Sequence, residues 1–155
     1  MAGKSESVPG VVGGVMGGLR TGCTGDTVNV FLESAYFDPV RTAATGRKLN
    51  LQSDARFRFE RGIDPAFLVD GMEIGPRLVL ELCGGEASEL IIVGGEPDWK
   101  RDIVLRDGRV RDLGGVDVGK GEAERILNTL GFETTATDGG LTTAVPPWRG
   151  DIVGE

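Results

Sequence analysis

The sequence contains no histidine, and this absence narrows the chemistry that the chain can perform. Histidine is the commonest general base near neutral pH and the commonest metal ligand. Any catalysis must therefore use carboxylates, hydroxyls, backbone groups or the substrate itself. We assign no catalytic residue from the sequence.

Cysteine is almost as scarce. Cys23 and Cys83 are the only two, and they lie far apart without the C-x-x-C spacing of a metal or redox site. The simplest interpretation is a pair of buried free thiols in a reducing compartment.

Long apolar runs are also missing. None approaches the roughly 20 residues of a membrane span, and Pro and Gly interrupt the apolar residues near the N-terminus. We therefore expect a cytoplasmic protein with no membrane partner.

A net charge of −7 argues against a general nucleic-acid surface and against DNA as a partner. The basic cluster of residues 41–61 is still compatible with a local RNA contact.

The 155 residues include 26 glycines, many of them in pairs, which indicates numerous tight turns. The pattern predicts an α+β (mixed α/β) fold with two units, residues 1–96 and 97–155. In the first unit we predict a short strand at 11–16 that enters a glycine loop, strands at 27–35 and 89–93, and helices at 40–48 and 65–83. Residues 54–61 are compatible with a helix or an extended arm.

The second unit has a different pattern. It predicts a strand at 102–106, an approach to a turn at 110–115, an amphipathic helix at 121–130, and a hairpin of residues 132–137 and 141–145. This order suggests a small helix-plus-hairpin domain of winged-helix-like type.

Between Phe31 and Pro65 the sequence places charged residues beside aromatic ones, in FLESAYFDP and SDARFRFERGIDP. Charges are costly in a core unless they are paired or used. The stretch is therefore either a polar network that fixes the fold or part of a site.

Five motifs occur in one order: GGVMGG, NVFLESAYFDP, SDARFRFERGIDP, LGF and PPWRGDI. Together they resemble the beta subunit of bacterial phenylalanyl-tRNA synthetase over about residues 11–154. The resemblance implies that residues 1–96 are the C-terminal part of the editing (tRNA-binding) domain. Residues 97–155 would be the small domain that follows, truncated at its C-terminal end. The family has further segments on both sides, so we expect an internal fragment.

The resemblance also implies a function. The parent would be a phenylalanine–tRNA ligase that charges tRNA(Phe) with ATP and Mg²⁺ and hydrolyses mischarged tyrosyl-tRNA(Phe). Its partners would be tRNA(Phe) and the alpha subunit, in an alpha2-beta2 heterotetramer. The aminoacylation centre lies on the alpha subunit, so we expect this piece alone to be inactive and to bind neither ATP nor Mg²⁺ firmly.

For Glu33 the resemblance implies a role in reading the substrate. A carboxylate there accepts the hydrogen bond of a tyrosine hydroxyl and is left unpaired over a phenyl ring. The alternative is a salt bridge between Glu33 and Arg58 or Arg61.

Four further residues match positions that line the family's editing pocket. Gly14 and Gly17 would let the backbone approach the ligand, Ser53 would supply a hydroxyl, and Ala55 would leave room for the tyrosyl ring. The alternatives are a tight turn for the glycines and a helix N-cap for Ser53, with Asp54 as its competitor.

Outside the pocket, we interpret Arg58, Glu60 and Arg61 as a structural polar network in preference to an RNA contact. Arg41, Arg47 and Lys48 are candidates for RNA contact or for plain solvent exposure. Asp151 matches the family's WRxD aspartate, which implies a magnesium ligand. Its alternative is to cap a following helix.

Two other function classes stay open. One is a non-catalytic RNA- or protein-binding module, because the helix and hairpin of the second unit resemble a winged domain. The other is a free-standing editing protein, against which PPWRGDI argues.

Overall fold

The structure is a computed structural model that describes residues 11–155, within which five α-helices and a three-stranded antiparallel sheet form an α+β fold. The mixed class predicted from the sequence is confirmed. The chain divides into two compact units. One holds the residues up to Ile63 together with Phe67–Gly94, and the other holds Asp64–Ala66 together with Gly95–Glu155.

Three helices build the first unit: α1 (Pro39–Leu49), α2 (Asp54–Phe59) and α3 (Leu68–Cys83). The start of α1 follows its sequence signal, because the Asp38 carboxylate accepts a hydrogen bond from the Arg41 N–H at 2.7 Å and Pro39 occupies the first turn. Asn50 ends the helix in the left-handed conformation, with φ 51°. The helices predicted at 40–48 and 65–83 are therefore confirmed, and residues 54–59 are helical.

Helices α1 and α2 pack against each other as an antiparallel hairpin. A Cβ atom on Gly62, just after α2, would lie 3.7 Å from Pro39 Cγ at the start of α1. Toward the opposite end, Gly46 lies against the side chain of Arg56, which is only 8% exposed. Thr42 and Gly46 are the buried residues of α1, so this side of the helix faces α2.

The second unit contains a sheet in the order β1-β3-β2, with β1 (Asp102–Arg106), β2 (Glu133–Thr137) and β3 (Gly140–Ala144). Ala144 is opposite Asp102 on one side and opposite Glu133 on the other. The central strand carries most of the burial, with Leu141 and Thr143 inside. Helix α5 (Lys120–Thr129) packs on β2 and β3. The predicted strand, helix and hairpin are confirmed.

A further helix, α4 (Arg109–Gly114), lies where the sequence predicted only the approach to a turn. It is bounded by two glycines in the left-handed region, Gly108 with φ 78° and Gly115 with φ 71°. A six-residue helix is too short for its apolar positions to repeat, which is why periodicity did not reveal it.

Four predictions in the first unit are wrong. Residues 11–16 form a tight turn closed by a single bridge between Val12 and Met16, and not a strand. Residues 27–35 and 89–93 form no strands, and their apolar side chains are open to solvent, with Val28 89% and Val93 90% exposed. A strand requires a neighbouring backbone as hydrogen-bond partner, and neither segment pairs with any other segment within residues 11–155. Cys23 and Cys83 are free thiols as expected, but both are exposed and not buried, Cys23 shortly before residues 27–35 and Cys83 at the end of α3.

The close contact of the helix hairpin leads to a stability prediction. A Cβ atom at Gly46 would overlap the Arg56 side chain and lie 2.7 Å from its Cζ. We expect Gly46→Ala to lower the free energy of unfolding by about 1–3 kcal/mol, the usual cost of overpacking. Gly75→Ala is the matched control within α3, where nothing lies within 4 Å of the added atom. It should stabilise by about 0.5–1 kcal/mol. Equal changes in a denaturant titration would contradict the packing.

Candidate functional site

The five residues predicted to line one pocket lie in separate places. Glu33 lines a pocket against α3, whereas Ser53 and Gly14 adjoin a tight turn at residues 12–16. Gly17 and Ala55 are exposed, and neither lines the Glu33 pocket. The structure of residues 11–155 therefore does not bring the five together around one cavity.

Ser53 joins the start of α2 to this turn. Its hydroxyl donates a hydrogen bond to the carbonyl of Val15, the most deeply buried side chain of the described residues. The same oxygen accepts from the Arg56 N–H at 3.0 Å and so caps α2. These contacts agree with the alternative that Ser53 is the N-cap of α2. Asp54, its competitor for that position, is the first residue of the helix and not its cap.

The turn itself fits the tight-turn alternative for Gly14. The N–H of Val12 donates to the carbonyl of Met16 at 2.9 Å, and Gly14 adopts φ 68°, which favours glycine. A Cβ atom on Gly14 would meet the Phe37 ring at 2.9 Å. Glycine is therefore required here by both the backbone and the close ring.

Phe37 connects the turn to the pocket that contains Glu33. Its ring lies edge-on to Phe59, with centroids 4.9 Å apart and an angle of 86° between the rings. Phe59 in turn forms part of the pocket wall. A continuous line of packed groups thus runs from the glycine turn through two rings to the pocket.

The pocket has a volume of about 330 Å³, within the usual size range of small-molecule sites. Its wall is mostly apolar, and Glu33 is the one ionisable side chain on it. The segment that carries Glu33 is fastened to α3, because the Ser34 hydroxyl donates to the Leu68 carbonyl at 2.8 Å. The lining residues are Leu32, Glu33, Ser34, Ala35, Phe59, Ile63, Phe67, Gly71, Met72, Gly75 and Pro76.

The alternative role for Glu33 was a salt bridge to Arg58 or Arg61. Within residues 11–155 the Glu33 carboxylate forms no ion pair. Arg61 instead contacts Glu60 at 3.3 Å and donates to the Phe57 carbonyl at 2.7 Å. The structure thus leaves the Glu33 carboxylate available to a ligand.

The polar network predicted for Arg58, Glu60 and Arg61 needs two corrections, because Arg56 belongs to it and Arg58 does not. Arg56, which the sequence reasoning missed as a network member, is its centre. It pairs with Glu60 at 2.9 Å and donates to the Leu51 carbonyl at 2.6 Å. Arg58 lies on the opposite side of α2 and is exposed. The spacing of Arg56 and Glu60, four residues apart on a helix, was the available signal.

Asp151 does not form a metal site in this structure. Both of its carboxylate oxygens accept hydrogen bonds from Arg149, at 2.8 and 2.9 Å. No group of three or more Cys, Asp or Glu side chains within residues 11–155 is placed to hold a metal. Mg²⁺ usually takes several oxygen ligands, so Asp151 alone among the described residues would not hold the ion firmly, and its role as a ligand stays a prediction. Residues 152–155 are not helical, and the capping alternative for Asp151 stays a prediction as well.

Arg101 orders the turn that carries PPWRGDI, and no sequence pattern predicted this role. Its guanidinium donates to three carbonyls, those of Trp99 at 3.1 Å, Arg149 at 2.6 Å and Ile152 at 2.6 Å. These bonds fix the backbone on both sides of Asp151. The Arg149–Asp151 pair therefore sits on a rigid frame.

The second unit has a pocket of its own, of about 360 Å³, between β1, α4 and α5. Its charged groups are largely satisfied within the unit. Lys120 lies 3.7 Å from Asp107 and donates to the Thr137 carbonyl, while Arg106 pairs with Glu155. Nothing in this arrangement singles out a reactive group.

Ser53→Ala should remove both the α2 cap and the donor to the Val15 carbonyl. We expect a loss of about 1–2 kcal/mol in the free energy of unfolding, of which the cap alone accounts for about 1. Ser88→Ala is the control, because Ser88 is exposed and bonds only to the adjacent Glu89 carbonyl, at 3.3 Å. A denaturant titration in which both variants match the parent would contradict the structural role of Ser53.

The Arg149 hydrogen bonds hold the pKa of Asp151 below its ordinary value. Because the folded-state pKa is the lower one, this pair stabilises the fold above the unfolded-state pKa. Its contribution disappears as the pH falls through the folded-state pKa. We expect Arg149→Gln to raise the pKa of Asp151 in an NMR titration of its carboxyl carbon. Arg125→Gln, which removes the partner of Glu122, should leave it unchanged. An unshifted pKa in Arg149→Gln would refute the pair.

None of the helices within residues 11–155 combines the length and the apolar character needed to cross a bilayer.

Comparison with known proteins identifies the relatives of both units. The B3/4 domain family matches residues 4–84, and the tRNA synthetase B5 domain family matches residues 103–155. The phenylalanine–tRNA ligase beta subunit of Paramagnetospirillum magneticum is 57% identical over 150 residues, which is 97% of this chain and 19% of that subunit. The corresponding subunit of Rhodospirillum rubrum is 53% identical, over 95% of this chain and 18% of the subunit.

The beta subunit of Gluconobacter oxydans is 50% identical, over 90% of this chain and 17% of that subunit. The chain thus spans about a fifth of the length of the relatives it matches. Both domain matches and these identities agree with the resemblance stated from the five motifs. The chain belongs to the family of phenylalanine–tRNA ligase beta subunits, of which it represents a B3/4 segment followed by a B5 segment.

Proposed function

We propose that this chain is part of a phenylalanine–tRNA ligase beta subunit and that its first unit takes part in hydrolytic editing of mischarged tyrosyl-tRNA(Phe). The observation that carries the proposal is the position of Glu33. Its carboxylate lies on the wall of a mostly apolar pocket and has no ion-pair partner within residues 11–155. The pocket volume, about 330 Å³, suits an aromatic side chain.

The chemistry of discrimination follows from this arrangement. Tyrosine and phenylalanine differ by one phenolic hydroxyl, and the apolar walls accept either ring. The Glu33 carboxylate is exposed in the free chain. It accepts a hydrogen bond from a bound phenol, but it would lose water without gaining a partner where a phenyl group covers it. Such an unpaired polar group costs about 1–3 kcal/mol or more, which favours the tyrosyl ester.

In this proposal Glu33 reads the side chain and does not attack the ester. Water attacks the ester carbonyl, and the ribose hydroxyl of the tRNA or a second positioned water carries the proton. Gly14 and Ser53 act indirectly, since they hold the turn and rings behind the pocket wall. For Gly17 and Ala55 the pocket role stays a prediction from the resemblance alone, because neither lines the Glu33 pocket.

The other proposed activities are those of the complete ligase, of which this chain would form a part. Its relatives' name, phenylalanine–tRNA ligase beta subunit, supports charging of tRNA(Phe) and a second kind of subunit as partner. We propose in addition that charging depends on ATP, that the partner is the alpha subunit in an alpha2-beta2 assembly, and that the ligase acts in the cytoplasm. We propose that ATP and Mg²⁺ act in that whole assembly, where Asp151 would be one of several oxygen ligands of Mg²⁺, and that this stretch alone holds neither firmly.

The test uses a complete phenylalanine–tRNA ligase whose beta subunit carries this stretch. We expect Glu33→Gln to reduce the ratio of tyrosyl-tRNA to phenylalanyl-tRNA hydrolysis about tenfold or more, since a neutral amide is a weaker acceptor for a phenol. Glu73→Gln on the exposed side of α3 is the matched control and should keep the parent ratio. An unchanged ratio in Glu33→Gln, with normal folding, would refute the role of Glu33.

A further inference from the structure

Helix α3 lacks side chains where it faces the pocket that contains Glu33. Gly71 and Gly75 both line that pocket, and they lie about one turn apart on the same side of the helix. About 6 Å of helix backbone between these two positions therefore faces the cavity without a side chain of its own. The aromatic residues Phe59 and Phe67 line other parts of the wall.

The two glycines differ in what lies beside them. A Cβ atom at Gly71 would lie 3.4 Å from the Phe67 ring and 3.9 Å from the Ser34 hydroxyl oxygen, so the unit's own side chains already occupy that neighbourhood. A Cβ atom at Gly75 would meet nothing within 4 Å beyond its chain neighbours and the backbone of α3. The unfilled part of the pocket wall is therefore at Gly75.

Close packing does not account for glycine at position 75. At Gly46 an added Cβ atom would overlap the Arg56 side chain, whereas Gly75 has no such neighbour and does not adopt a positive φ. Glycine in the middle of a helix is less favourable than alanine, so its presence there needs another reason. One reason is Pro76, because a proline restricts the residue before it. The other is a bound group that uses the space.

We propose that Gly75 is a specificity-determining residue of the Glu33 pocket, where it leaves room for the aromatic ring of a tyrosyl or phenylalanyl ester. This inference rests on the proposed function and adds to it a selection by shape. Gly75 admits the ring against the helix backbone, while Glu33 distinguishes the phenol from the phenyl group. The two effects are separable, because an obstacle to the ring affects both esters alike.

A leucine at position 75 would fill this space. Long side chains on an α-helix point toward its N-terminus and lie over the preceding turn, which here leads to Gly71. The four carbon atoms of the leucine side chain would therefore occupy the volume proposed for the ring, whereas alanine adds a single carbon. Both residues are good helix formers and both place a Cβ atom before Pro76, so they share the backbone effects and differ in bulk.

The experiment measures kcat/KM for hydrolysis of tyrosyl-tRNA(Phe) and phenylalanyl-tRNA(Phe) by the complete ligase. Gly75→Leu is the test variant and Gly75→Ala its matched control. We expect both esters to be hydrolysed at least about tenfold more slowly by Gly75→Leu than by Gly75→Ala, since an overfilled pocket excludes the ring. The ratio of the two values should stay that of the parent, because Glu33 is intact.

Two further variants complete the design. Gly121→Leu makes the same change at an exposed position of α5, where nothing lies within 4 Å of the added atom, and should keep the parent values. Gly75→Met fills the pocket with an unbranched, adaptable side chain and should show the loss seen with leucine. It replaces Gly75→Leu as the test variant if circular dichroism shows that the leucine variant has lost helix content.

Equal values for Gly75→Leu and Gly75→Ala would overturn the inference. If both matched the parent, the space at position 75 would be unused, and if both fell equally, the glycine would serve the backbone before Pro76. Glu33→Gln, measured in the same assay, separates this outcome from the proposed function. A changed ester ratio in Glu33→Gln beside equal Gly75 variants would refute this inference alone. A parent ligase that hydrolyses neither ester would refute both.

Discussion

The buried guanidinium of Arg56 is the interaction on which the first unit depends. It is 8% exposed, and it bonds to the Glu60 carboxylate and the Leu51 carbonyl. A charge so far removed from water is costly unless its hydrogen-bond donors are satisfied. The position of this guanidinium also requires glycine at position 46, since any side chain at that position would overlap the Arg56 side chain. One ion pair therefore sets how closely the two helices approach and which residue one of them must carry.

The candidate site depends on that hairpin in turn. Helix α2 begins at the Ser53 cap, which is bonded to the Val15 carbonyl, and ends at Phe59, which forms part of the pocket wall. Phe37 bridges the glycine turn and Phe59. A six-residue helix is marginal by itself. The orientation of α2 follows from the Arg56–Glu60 ion pair and from the Ser53 hydrogen bond to the turn at its start. The position of Phe59 in the pocket wall therefore depends on contacts that do not involve Glu33.

The sequence predicted those elements whose signals are local. Asp38-Pro39 marked the start of α1, and an Asp-Gly-Gly turn between two alternating runs marked the β2–β3 hairpin. The predicted strands at 27–35 and 89–93 are absent because an alternating or apolar run indicates only a preference for extended backbone. A strand also needs a neighbouring strand as its hydrogen-bond partner. The same limit applies to the site. Motif order identified Glu33, but Arg101 acts only through carbonyls up to 51 positions away, and no local pattern reveals such bonds.

The ion pairs of α2 bear on the proposed site, because they determine which carboxylate the nearby arginines contact. SDARFRFERGIDP supplies three arginines within six residues, any of which could neutralise Glu33. Glu60 engages two of them, Arg56 from one side and Arg61 from the other, and α2 turns Arg58 toward solvent. A carboxylate in an ion pair has its lone pairs occupied and is a poor acceptor for a phenol. In the proposed editing role Glu33 has to accept the hydrogen bond of the phenol, and Glu60 supports that role because it holds two of the three arginines of this segment.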